Sequence, residues 1–181
     1  VLVLTLDGDE GWDDELEQFV YTDPVVLELE HSLVSLSKWE RIHETPFLGM
    51  TEISEDQFID YILSMNLGSD VPRELLNERI NEKHVLEINA YINKPMTGTT
   101  FPNQPRASKA GEKISAELIY FWMNSFSIPK EHETWHLNNL FTLIRIHQVK
   151  SEKPKKMGRS EQAARNRELN AARKARLGIE G

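Results

Sequence analysis

The chain opens on two short runs whose spacing alternates along a strand. VLVLTL at residues 1 to 6 and VVLELEH at residues 25 to 31 are β-branched or alternating segments, and alternation with a period of two predicts strands with one buried face. An acidic, glycine-containing connection joins them, so they predict one antiparallel β-hairpin over residues 1 to 31, with Phe19, Val20 and Tyr21 extending its sheet. After Ser32 the period lengthens. Leu33, Leu36, Trp39 and His43 recur every three or four residues, predicting a helix that ends before Pro46. Ser54 and Gln57 have capping-box spacing ahead of Phe58, Ile59, Ile62 and Met65, with Gly68 as the stop. Pro72 suits the start of a short helix carrying Leu75, Leu76 and Ile80, and Asn81 suits the cap of another carrying Val85, Ile88 and Ile92. Helices therefore fill residues 32 to 93.

Residues 95 to 111 hold three prolines and two glycines with few large apolar side chains, which predicts a long surface loop. Two strongly apolar segments follow, residues 114 to 126 and 131 to 149, and both predict helices with only a narrow polar side. Such a pair over residues 114 to 149 is either the centre of the core or partly an interface covered by another chain. From Ser160 to Leu177 the chain is rich in Ala, Arg, Glu, Gln and Lys, with Gly178 behind it, so an exposed helix is expected. The pattern as a whole predicts an α+β fold, predominantly helical, with the N-terminal β-hairpin packed on a helical body and a basic helical tail.

Charge sharpens the division between body and tail. Residues 1 to 149 carry 11 Lys+Arg against 25 Asp+Glu, a net of −14, whereas residues 150 to 181 carry 10 against 4, a net of +6. The tail has too few large apolar residues to bury a core of its own. Its cations Lys155, Lys156, Arg159, Arg165, Arg167, Arg173, Lys174 and Arg176 could contact phosphates. The acidic body and the absence of aromatic residues among those cations weigh against a nucleic-acid role and favour a tether or protein-docking helix. With 181 residues and 39% hydrophobic composition the chain can bury one ordinary core. Zero cysteines exclude disulfide scaffolds, thiolate zinc sites, iron–sulfur clusters and cysteine nucleophiles within the chain. No run approaches 18 apolar residues, and the opening lacks a basic n-region and a cleavage site, so neither a membrane span nor a secretory signal is expected.

Two motifs invite chemistry. HETWH at residues 132 to 136 matches H-E-x-x-H, in which His132 and His136 on one helix face bind zinc and Glu133 is the general base. Pro129 puts His132 in the first helical turn, Trp135 is bulky between the ligands, and no third ligand follows, so packing or capping histidines are expected and no metal. The acidic stretch at residues 7 to 17 could attract calcium, but counting from Asp7 an EF-hand places Trp12 where glycine is needed and Gln18 where glutamate is needed. No phosphate loop, nucleophilic triad or paired-acid pattern stands out, so neither enzymatic activity nor a cofactor is expected.

The runs VVLELEHSLVSLSKWERIHETPFLG (residues 25 to 49), LEINAYINKPMTGTTF (86 to 101), ISAELIYFWMNSFSIPKEHETWHLNNLFTLIRI (114 to 146) and KPKKMGRSEQAARNRELNAARKARLG (153 to 178) together resemble the tail assembly chaperones of long-tailed actinobacteriophages. The similarity covers nearly the whole chain in colinear blocks, none of them a catalytic signature. It implies a non-enzymatic protein of the host bacterial cytoplasm that binds the phage tape measure protein and is absent from the mature virion. It also implies a longer form made by ribosomal frameshifting, with self-association as a further contact. The apolar pair suits helix-in-groove capture of such a client, with Leu118, Phe121, Trp122, Leu140, Phe141 and Ile144 as the candidate binding residues. The rival readings are a virion structural or tail-completion protein and a nucleic-acid-binding protein that uses the basic tail.

Overall fold

Alternating Leu and Val residues pay out as a two-stranded ribbon: β1 (Leu2–Leu6) pairs antiparallel with β4 (Val25–Leu29), from Leu2 opposite Leu29 to Leu6 opposite Val25. The computed structural model describes residues 1–8, 10–13, 15, 17–101, 113–151 and 159–177. Leu4, Leu6, Leu27 and Leu29 face inward and are buried, while Val3 and Val26 on the other face are exposed. The acidic connection is itself structured, which corrects the expectation of a simple link. β2 (Glu10–Asp13) and β3 (Gln18–Tyr21) pair with each other, so Phe19 and Tyr21 belong to a second hairpin and do not extend the first sheet.

Helices α1 (Leu33–His43), α2 (Glu55–Met65), α3 (Arg73–Arg79) and α4 (Glu82–Ile92) follow. Their starts are set locally. Ser54 Oγ accepts from the Gln57 amide at 3.2 Å while Gln57 Oε1 accepts from the Ser54 amide at 3.1 Å; Asn81 Oδ1 accepts from the His84 amide at 3.1 Å. Pro72 precedes α3 directly. The end of α2 differs from the sequence expectation. Tertiary pairing stops it before Gly68: the Glu30 amide donates to the Met65 carbonyl and the Leu67 amide to the Glu28 carbonyl, drawing the chain at Asn66 onto the edge of β4.

The apolar C-terminal part of the body forms α5 (Ala116–Ser125), a 3-10 turn (Lys130–Thr134) and α6 (Leu137–Ser151). Two core clusters result. One joins the β1–β4 ribbon to Trp39, Ile59, Tyr61, Ile62, Met65, Leu76 and Ile88. The other joins Leu33 and Leu36 to Ala116, Ile119, Met123, Ile128, Leu137, Leu140 and Ile144. Helix α1 thus serves both, Trp39 in one and Leu33 and Leu36 in the other. Glu40, on the same helix, is buried and accepts from the Phe47 amide at 3.0 Å and from the Ala116 amide at 2.7 Å. Its carboxylate therefore satisfies an orphan donor at the start of α5, where a negative charge also suits the helix dipole.

The fold is α+β and predominantly helical, with the N-terminal hairpin packed against helices. The chain divides into two compact units, Val1–His147 and Gln148–Gly181. In the second, helix α7 (Arg159–Leu177) occupies the segment whose composition favours helix. The expected loop at residues 95 to 111 is without regular structure through residue 101, and its remainder lies outside the described residues, as does Gly178.

Candidate functional site

Helix α5 is apolar on more sides than its packing uses. Ser115 caps it, its hydroxyl accepting from the Leu118 amide at 3.4 Å. Ala116, Ile119 and Met123 then point into the second core cluster. Leu118, Trp122 and Phe126 are half-buried, and Phe121 is 63% exposed. On α6, Leu137, Leu140 and Ile144 are buried, whereas Phe141 and Leu143 are half-buried. Phe101 lies under the Arg145 guanidinium at 4.7 Å, so the chain just before residue 102 borders α6 one turn beyond Phe141. Phe126 and His147 stack at 5.7 Å and join the far ends of the two helices.

This geometry divides the six candidate client-binding residues. Leu140 at 0% and Ile144 at 2% exposure are core, which corrects their assignment to a binding surface: a client could reach them only by opening the cluster. Leu118, Trp122 and Phe141 contribute edges, and Phe121 is the one of the six that presents most of its surface to solvent. Trp135, 39% exposed, adds an aromatic that the candidate set lacked.

HETWH does not form the helix that zinc ligation by His132 and His136 requires. His132 lies in the 3-10 turn, Trp135 is extended, and His136 sits in an isolated bridge to Ser32 before α6 begins. The His132 ring packs on Trp135 at 4.0 Å, and Glu133 accepts from the Tyr120 hydroxyl at 3.0 Å. Burial, then the Glu133 carboxylate, pushes the Tyr120 hydroxyl up to about 12. Among the described residues no group of three or more His, Cys, Asp or Glu is placed to hold a metal ion.

His136 instead joins a buried polar cluster that its sequence position gives no hint of. Its Nε2 hydrogen-bonds the Tyr91 carbonyl at 3.1 Å, and its ring lies 5.2 Å from that of His31. His31 Nδ1 and the Tyr61 hydroxyl are 2.5 Å apart, and the Tyr91 hydroxyl donates to Glu30 at 2.9 Å. Burial, reinforced by neighbouring His136, lowers His31 to about 3; burial also lowers His136. The Tyr61 and Tyr91 hydroxyls are both raised, chiefly by burial. Neutral imidazoles at neutral pH make this cluster a structural clasp linking β4, α2, α4 and the start of α6.

Of the tail cations, Arg165, Arg167, Arg173 and Arg176 are exposed on α7. Arg159 and Lys174 belong to the same helix, and Lys155 and Lys156 lie outside the described residues. Among the described residues no helix is long and apolar enough to cross a membrane. No family model, curated protein or solved structure matches the chain.

Proposed function

We propose that the protein is a phage tail assembly chaperone that binds the tape measure protein and keeps it soluble in the host cytoplasm until the tail tube forms around it. The sequence resemblance suggests the client. The observation that carries the reading to a surface is the exposed Phe121, flanked by half-buried Leu118 and Trp122 on α5 and accompanied by half-buried Phe141 on α6. Apolar side chains of this kind can receive the nonpolar face of a client helix. The body's net charge of −14 would keep a loaded complex dispersed.

Co-expression with the tape measure protein from the same phage tests the reading. The client should stay soluble beside the unaltered chain and aggregate beside Phe121→Asp, while the variant's own thermal transition is unchanged because residue 121 is largely solvated. Equal client solubility with and without the chain would remove the chaperone reading. Abundant chain in purified virions would favour a structural part of the particle.

A further inference from the structure

The second hairpin continues the first in register. Leu2, Leu4 and Leu6 oppose Leu29, Leu27 and Val25; after a break, Glu10 and Trp12 oppose Tyr21 and Phe19. The same number of residues separates Leu6 from Glu10 as separates Tyr21 from Val25, so no extra residue shifts the alternation. Because strand side chains alternate with period two, Glu10, Trp12, Phe19 and Tyr21 occupy the register positions that in the first hairpin face the core. There α2 and α4 contribute Ile59, Ile62, Met65 and Ile88 to cover the leucines. In the second hairpin Trp12 is 54%, Phe19 57% and Tyr21 70% exposed.

The uncovered face carries its own internal contacts. Trp12 and Phe19 pack edge to face at 5.0 Å, and the Tyr21 hydroxyl donates to Glu10 at 2.8 Å. The base of the arm is fixed as well. A side chain at Gly8 would collide with the Thr22 carbonyl, and Arg79 donates to the Asp23 carbonyl at 3.1 Å and to Thr22 Oγ1 at 2.6 Å. Three solvated aromatics on one face of an anchored arm mark an interaction site.

Charge selects the occupant. Residues 7 to 23 carry eight Asp+Glu and no Lys or Arg, which repels phosphates and a second copy of the same arm. It attracts a cationic partner, and Trp and Tyr faces hold guanidinium groups. Helices cover the equivalent face in the body. We propose that the face formed by Trp12, Phe19 and Tyr21 docks an arginine-bearing amphipathic helix of a partner protein, at a surface separate from the α5–α6 candidate site.

The test uses the full chain and a labelled synthetic amphipathic helix of leucine and arginine, with a leucine–glutamate helix as its counterpart. Fluorescence polarisation should show binding of the arginine helix that weakens with added salt, and at least about tenfold weaker binding of the glutamate helix. Trp12→Ser combined with Phe19→Ser should weaken binding by about tenfold or more with the thermal transition of the body unchanged. Made in a Phe121→Asp background, which takes the α5–α6 apolar face out of the measurement, the double variant should show the same loss. In the unaltered protein, the Gly11 amide and Trp12 indole NMR signals should shift during titration. Binding by the double variant within about twofold of the parent, equal binding of the glutamate helix, no effect of the double variant in the Phe121→Asp background, or unmoved Gly11 and Trp12 signals would each overturn the proposal.

Discussion

Acidification should destabilise the body through His31 while most surface carboxylates remain ionised. In the folded chain burial holds this imidazole at about 3, against its ordinary value of 6.5. Between those two values the unfolded chain binds the extra proton, so stability is fully present above the ordinary value and falls as pH drops through the interval. The slope approaches about 1.4 kcal/mol per pH unit, which makes the His31 loss about 2 kcal/mol at pH 5 relative to pH 7.5. Lowered His136 acts in the same direction. Urea unfolding followed by far-ultraviolet circular dichroism at pH 7.5, 6 and 5 measures the effect. His31→Gln keeps a polar group facing the Tyr61 hydroxyl but cannot titrate in this range. Whatever its stability at pH 7.5, this variant should lose about 2 kcal/mol less than the parent on going to pH 5. Identical losses in parent and variant would refute the assignment of a buried, neutral His31 as an acid-labile element.

Glu40→Ala strands the half-buried Phe47 amide and the buried Ala116 amide and should lower unfolding free energy by about 2 kcal/mol, measured by urea titration at neutral pH. Gly8→Ala places a methyl group against the Thr22 carbonyl; it should disorder the second hairpin and abolish the near-ultraviolet dichroism of the Trp12–Phe19 pair, with far-ultraviolet helix content retained. Removing residues 151 to 181 deletes most of the second compact unit; calorimetry should place the transition of the remaining body within about 3 °C of the parent. A larger fall would show that the tail contributes to the body's core.

What the sequence made legible was local in origin. The capping pairs at Ser54–Gln57 and Asn81–His84 span three residues each, and the strand alternation at Leu4, Leu6, Leu27 and Leu29 needs only its own neighbours. Tertiary partners decided the rest. Gly68 looks like the stop of α2, yet the edge of β4 captures the chain at Asn66 first. His31, Tyr61, Tyr91 and His136 are distant in sequence, and no spacing rule joins them. In α5 and α6 both the core-facing and outward positions are apolar, so periodicity alone could not sort buried Leu140 and Ile144 from exposed Phe121. Phe19 and Tyr21 read as strand residues, but their pairing with Trp12 and Glu10 in a separate hairpin was not legible, because acidic residues at Asp7, Asp9, Glu10, Asp13 and Asp14 dominate the local composition.

The placement of α1 between two clusters imposes an order on folding during synthesis. Once residue 92 has left the ribosome, the ribbon, α2, α3 and α4 can close on Trp39. Leu33 and Leu36, on the same helix, must wait for Ile119, Leu140 and Ile144, which appear tens of residues later. At about 5–20 residues per second, the nascent chain spends seconds with one side of α1 bare and Glu40 without its Ala116 donor. That interval is when the chain is most exposed to misassociation, and slower translation across residues 93 to 144 would lengthen it.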